Sequence, residues 1–526
     1  MSAEPKITLY GLETLGDART APAPIGDRAG AVPAGTPALP PPAKPVLKAT
    51  TTQQEQPALP LKRSASERGR APILDPRAPM PSARALLADR FTACDLPAMH
   101  HYRGTFWRWN GSCYRKADTD SIEAEIWRYL DSAKRYGKDG EKIDFQPNCS
   151  SVGNALEALK AVCNLPGSVA PPAWLVEHAE NHPAHELLPV RNGLLHLPSG
   201  TLSKPSPTFF CTNASEVAFV EQAPEPKEWL RFLSLIWPDD PQSIETLQEI
   251  FGYLLSPDTS QQKIPLIVGP KRSGKGTIAR VLTMLLGQNS VTAPTLASLA
   301  TNFGLAPLIG KSVAIIGDAR LSGKADHAAI AERLLSISGE DSITVDRKFL
   351  SAWTGRLGVR FVIMSNELPR LSDASGALAG RFIVVIMKRS FYGKEDRGLA
   401  NRLMGDLPGI LNWARKGYCS LRERGYFLQP TSALDALEDL EELGSPISAF
   451  VKACCTVATG RRVLASDLFS AWREWCASNG RRGPGTVQSF GRDLRSAVPG
   501  LLITKPRIDG SQIRHYEGIC LQSKAW

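Results

Sequence analysis

Five apolar residues, Ile264 to Val268, run directly into Gly269-Pro270-Lys271-Arg272-Ser273-Gly274-Lys275-Gly276-Thr277, and the helix-like run IARVLTMLLG follows at once. No other stretch restricts the fold as much, because a buried strand that hands over to a helix across a short glycine-rich turn belongs to an α/β unit. Glycines let consecutive backbone N–H groups face into the turn, and a helix amino terminus adds partial positive charge. The chemistry expected of Gly269 to Thr277 is the cradling of phosphate, with Lys275 reaching the β and γ phosphates of a nucleotide. The position directly after the lysine, where a hydroxyl is usual, is Gly276, so Thr277 becomes the hydroxyl expected on the magnesium side. A GKGT ending also suits small nucleotide kinases, so the loop alone leaves kinase and motor open.

Three further short apolar runs follow: KSVAIIG, VRFVIMS and RFIVVIM. Runs that are apolar on both faces predict a parallel sheet covered by helices. The first of them ends at Asp318, where a carboxylate would hold magnesium directly or through water; a helix-capping aspartate is the plainer alternative. Ala319 and Arg320 follow instead of a second acid. The water-activating base is therefore unassigned, with Glu340, Asp341 and Glu367 as candidates. The run Arg360 to Met364 delivers Ser365-Asn366-Glu367, which makes Asn366 a candidate γ-phosphate sensor, against a surface asparagine before a turn. Arg381 precedes the last run, where its guanidinium would complete a neighbouring subunit's site and stabilise charge on the transferring phosphoryl group; a structural ion pair is the alternative.

The 526 residues and 43% hydrophobic content allow several cored domains, and the net charge of +10 points towards a polyanionic partner without specifying it. Ten cysteines lie singly or adjacent with no zinc-site spacing, which predicts reduced thiols. No run of about 18 apolar residues occurs, and the amino terminus lacks a secretory profile, so the cytoplasm of a bacterial host is expected and no membrane. Residues from about 21 to 81 are rich in Pro, Ala and charge and predict a disordered arm. VRNGLLHLPSGTL predicts two short strands about a Pro-Ser-Gly turn. After Ser445, SPISAFVKACC, SDLFSAWREWCASNG and TVQSFGRDLRSAV predict three helices, the second presenting Leu468, Trp472 and Trp475 on one face. A turn at Asp509-Gly510 would join two strands, and three helices plus a hairpin suggest a winged helix.

Taken in order, GPKRSGKGT, VAIIGDARL, SGEDSITVDRKF, RFVIMSNELPRL and GALAGRF resemble the superfamily 3 helicases, in particular the phage and plasmid primase-helicase family. NGLLHLPSGTL is similar to the poxvirus-type helicase amino-terminal module of that family, and the carboxy-terminal segment resembles its winged helix. The fold implied is α/β: an AAA+-like P-loop ATPase with a parallel sheet at 259–428, an α+β collar-like module at 91–258 before it, a winged-helix DNA-binding domain at 445–526 after it, and a disordered arm at 1–90. By the same resemblance Gly269, Gly274, Lys275 and Thr277 bind ATP and Mg2+, with Pro270, Lys271, Arg272, Ser273 and Gly276 completing the loop. Asp318 is then the motif B carboxylate and metal ligand with Thr277, Asn366 the sensor and Arg381 the arginine finger. Arg347 and Lys348 match the place of a pore hairpin that grips one DNA strand; as residues alone, two adjacent cations are an ordinary solvated surface.

The implied protein is an ATP-driven replicative DNA helicase, a homo-hexameric ring moving 3′ to 5′ on single-stranded and forked DNA. Primer synthesis would need a nucleotidyl-transferase module, which the sequence does not display, so a separate primase or polymerase is the expected partner. An alternative of another class is an ATP-regulated origin-binding initiator, in which Arg492 and Arg495 on the third helix and Lys505, Arg507 and Arg514 in the wing contact DNA. Phosphate transfer to a nucleoside monophosphate would instead mark a kinase.

Overall fold

The computed structural model describes residues 71–176, 181–319, 326–371, 376–481, 483–508 and 511–522. The expected arm up to residue 70 and the Asp509-Gly510 turn lie outside them. The folded chain nevertheless starts earlier than the arm boundary expected at residue 90. Helix Pro79–Arg90, opened by a proline that suits a first turn, buries Ala83 and Leu86 against Ile126, Val152 and Leu159. Around this core lie the antiparallel strands Met99–Tyr102, Thr105–Trp109 and Tyr114–Ala117 and the helices Thr119–Asp131 and Cys149–Val162. Both helices start at side-chain caps, Asp118 and Asn148, whose oxygens accept the N–H of the third helical residue.

The Pro-Ser-Gly turn lies where the sequence puts it, between strands Gly193–His196 and Leu202–Ser203. A third strand, Leu187–Val190, pairs on the other side of Gly193–His196. Helices Lys227–Ile236 and Pro241–Leu255 follow, and they alter the domain boundary expected at residue 258. Trp229, Phe232, Ile236 and Phe251 share one continuous core with Ile267, Val313 and Val385 of the parallel sheet. The backbones of helices Pro241–Leu255 and Leu407–Arg424 also approach closely: a Cβ on Gly252 would stand 2.2 Å from the Tyr418 nitrogen. The helices on either side of residue 258 are therefore parts of one packing unit.

The sheet consists of β1 (Ile264–Val268), β2 (Val291–Thr292), β3 (Val313–Ile316), β4 (Arg360–Ser365) and β5 (Phe382–Ile386), all parallel, in the order β2-β3-β4-β1-β5. Alternate side chains divide between two cores, as a pleated strand requires. Leu266, Ala314, Ile363 and Val384 face helix His327–Ser338, whereas Ile267, Ile315, Val362 and Val385 face helices Lys275–Leu286 and Leu407–Arg424. The four runs predicted as strands are β1, β3, β4 and β5. The strand order reverses at β1, and in open α/β sheets the crevice outside the carboxyl ends at such a point is the usual ligand site.

A hairpin of strands Ser342–Arg347 and Leu350–Arg356 precedes β4, with an irregularity between Val345 and Arg347. The carboxy-terminal unit has its own core of Phe450, Leu468, Trp472, Phe490, Leu494 and Tyr516. It contains the three expected helices, Pro446–Cys454, Ala465–Ser478 and Val487–Ala497. A long strand, Cys455–Leu464, intervenes between the first two and pairs with His515–Leu521, which also pairs with Leu502–Thr504. Among the described residues no helix is long and apolar enough to cross a membrane.

Candidate functional site

The glycine-rich turn leaves the carboxyl end of β1. Gly269 donates its N–H to Ser365 of β4 at 3.1 Å, and a Cβ there would stand 2.6 Å from Met387 Cβ and 2.7 Å from Met387 O. Only hydrogen fits where the turn passes between its two neighbours. Gly274 has φ +107° and starts helix Lys275–Leu286, so the left-handed residue that ends the turn is also the helix N-cap. A Cβ on Gly274 would stand 3.0 Å from Phe232 Cζ, which places helix Lys227–Ile236 under the turn.

The half-buried Lys275 ammonium lies inside the turn. It donates to Gly269 O at 2.5 Å, Pro270 O at 2.8 Å, Ser273 Oγ at 3.3 Å and Asn366 Oδ1 at 3.1 Å. Burial lowers its pKa, and the Asp318 carboxylate beyond β3 opposes that shift. Asp318 is exposed, two residues past Ile316. The carboxyl ends of β1, β3 and β4 thus bring the predicted Lys275, Asp318 and Asn366 to one crevice, with Thr277 on the first helical turn beside it. Glu367 is exposed at the same edge.

Arg381 lies elsewhere. It ends the turn Ala379–Arg381 that leads into β5, at the Phe382–Ile264 end of the β5–β1 pairing. β1 spans five residues, so at about 3.3 Å each the guanidinium stands roughly 17 Å down the strand from the glycine turn. There Nη1 donates to Gln262 Oε1, and Nη2 lies beside Gly339. Two candidate bases occupy the same far edge: Glu340 accepts from Thr259 and pairs with Arg356 at 2.5 Å, and Asp341 follows it. Of the three candidates only Glu367 is at the edge that holds Lys275.

Arg347 and Lys348 lie at the end of the hairpin, with Arg347 opposite Leu350 and its Nε donating to Ser351 O at 2.8 Å. Phe349 completes the tip and is 91% exposed; sequence reasoning picks out the two cations and misses this ring. Part-way along the hairpin, opposite Val345, Trp353 is covered by Arg103, 5.7 Å from the ring centroid, which ties the amino-terminal module to the hairpin. Arg492 and Arg495 share a face of helix Val487–Ala497; Arg492 pairs with Asp493 and Arg495 bonds Gly491 O. Arg514 stacks over Tyr516 against the same helix, while Lys505 and Arg507 are exposed beyond strand Leu502–Thr504. Among the described residues no cluster of three or more His, Cys, Asp or Glu side chains could hold a metal ion by itself.

Two family models match the chain. Residues 86–238 match one described as D5 N terminal like, and residues 267–381, from β1 to Arg381, match a family of unknown function, DUF5906. Among solved structures, the apo form of the NrS-1 C-terminal region and two A-form apo structures of that region align at 12% identity over 84% of this chain and 99 to 100% of theirs, with TM-scores of 0.45 to 0.47.

Proposed function

We propose that this chain is an ATP-hydrolysing nucleic-acid motor of the phage and plasmid primase-helicase kind, acting as a ring of identical subunits. The reading takes the five-stranded unit as an AAA+-like P-loop ATPase of superfamily 3, the module before it as the collar, and the carboxy-terminal unit as a winged helix. The observation that carries it is the division of the sheet's two edges. Lys275, Asp318 and Asn366 converge at one edge, and Arg381 is held at the other, so a single subunit supplies half of a hydrolytic site and a neighbour supplies the guanidinium.

The crevice fits a nucleotide with magnesium: it is a glycine cradle with no room for a Cβ at Gly269, an ammonium lies inside it under the influence of the Asp318 carboxylate, and the Thr277 hydroxyl is on the first turn of the helix that follows. Lys275 would exchange its loop carbonyls for β and γ phosphate oxygens, and Thr277 and Asp318 would hold the metal. When bound, magnesium would supply neutralisation of the charge that develops on the phosphates. Asn366, already bonded to Lys275, would report the occupied state to β4. The β4 strand is joined at its opposite, amino-terminal end through residues 357–359 to the hairpin that carries Arg347 and Lys348, so the route from site to strand grip runs the length of β4. Movement of that hairpin along one strand, 3′ to 5′, forms the mechanical step.

Subunit mixing tests it. Lys275→Ala and Arg381→Ala are each expected to lose single-strand-stimulated hydrolysis by a hundredfold or more, by about the loss of one transition-state cation. Mixed together they should recover a measurable fraction, because some interfaces then pair an intact loop with an intact arginine. Inactive mixtures, or a Lys275→Ala protein that still unwinds a fork, refute the shared site. The initiator alternative draws on Arg492 and Arg495 sharing one helix face; sequence-specific duplex binding without unwinding favours it.

A further inference from the structure

The hairpin is longer than its packing requires. Ile343 and Val345 are buried in the core beneath the sheet, but past Val345 no side chain of the tip is buried. At the tip Lys348 and Phe349 form a two-residue turn between the paired Arg347 and Leu350. Phe349 has φ +62°, a position where such turns favour Gly or Asn, and its ring is 91% exposed, the most exposed large apolar side chain among the described residues. Two costs are therefore accepted at one residue, a strained backbone and a wetted phenyl ring. The Lys348 ammonium sits 5.1 Å from the ring centroid, Arg347 is anchored by its bond to Ser351 O, and Asp346 is the one acid in the segment 346–350.

We propose that Phe349 is a stacking residue for an unpaired nucleobase of single-stranded DNA, with Lys348 and Arg347 holding the flanking phosphates. A protruding aromatic ring that follows two adjacent cations matches a chain that alternates flat apolar bases with anionic links. It excludes intact duplex, whose base faces are already covered. The inference rests on the motor reading and deepens it, since it assigns the hairpin's contact to the bases as well as to the backbone.

The test uses the full chain and two fluorescent strands of equal length, oligo-dT and an abasic ladder with the same phosphates. Stacking of one base predicts that Phe349→Ala weakens oligo-dT binding about five- to hundredfold while abasic binding stays at the wild-type level. Phe349→Trp should restore oligo-dT binding, and Lys348→Ala should weaken both strands and flatten the salt dependence. Thermal melting of Phe349→Ala checks the fold, and so exposed a ring is expected to leave it unchanged. Equal losses on both strands, or none on either while the wild type binds oligo-dT, overturn the stacking role and leave the motor reading in place. A change in assembly size without a change in DNA affinity also overturns it, the ring then belonging to a contact between copies. Failure of the wild type to bind either strand overturns the motor reading itself.

Discussion

The Lys275 ammonium lies within hydrogen-bonding distance of four acceptors of its own subunit, so the proposed binding of a nucleotide would be an exchange of partners rather than the filling of a vacant cation. The loop's tolerance of substitution should follow the space around each glycine. Gly269→Ala forces a methyl against the Met387 backbone, which the flanking β1–β5 pairing holds in place, and overpacking of this kind costs about 1–3 kcal/mol. Gly276, one residue past Lys275, is helical, and a methyl added to it would meet nothing within 4 Å. Gly276→Ala should therefore be neutral or add up to about 1 kcal/mol by helix propensity. Urea unfolding of the two variants decides this, and a Gly269→Ala protein as stable as Gly276→Ala would contradict the geometry described around β5.

At the scale of single elements, strand Met99–Tyr102 carries a half-buried base whose Nε2 is out of reach of solvent. His100 packs 5.3 Å from the Tyr114 ring centroid, its Nε2 finds no partner among the described residues, and burial pulls its pKa down to about 4. The folded value lies below the unfolded 6.5, so the unfolded chain takes up this proton first as pH falls. The resulting stability is complete above the unfolded value and is lost as pH falls towards the folded one. Between about pH 7 and pH 5 the loss is about 2 kcal/mol. His100→Phe should flatten the acid side of the stability profile, measured by urea midpoints across that range; an unchanged slope would assign the sensitivity to other groups. The same scale shows what the sequence discloses. The strands β1, β3, β4 and β5 were legible because both of their faces are buried, which writes an uninterrupted apolar run. The strand β2 has two half-buried residues, Val291 and Thr292, and leaves no such trace. Lys275, Asp318 and Asn366 were legible because each closely follows a readable strand. Phe349 was not, since a single aromatic residue in RKFL has no periodicity, and its 91% exposure exists only once the hairpin is closed.

For the whole molecule the decisive feature is that one core crosses the boundary the sequence suggested. Helix Lys227–Ile236 is amphipathic like any surface helix, and nothing in its pattern says which neighbour its apolar face meets. In the fold it meets the sheet. Trp229, Phe232, Leu233, Ile236 and Phe251 are each 6% exposed or less and sit in one cluster with Ile267, Val313 and Val385. Their indole and phenyl rings, with the aliphatic partners, contribute about 1.5–3 kcal/mol apiece on burial. The sum over five such residues is comparable to the whole net stability of a domain, about 5–15 kcal/mol. A fragment of residues 259–428 should therefore fail to fold, although it contains the entire sheet and every residue of the proposed nucleotide site. Residues 445–526 keep Phe450, Leu468, Trp472, Phe490 and Tyr516 together and should unfold cooperatively alone. Near-ultraviolet dichroism and urea titration of both fragments beside the chain from residue 71 onwards provide the comparison. A cooperative transition in the 259–428 fragment would mean that the helices before residue 258 only decorate the sheet unit, and Phe232 beneath the glycine turn would then lose its part in positioning Gly274.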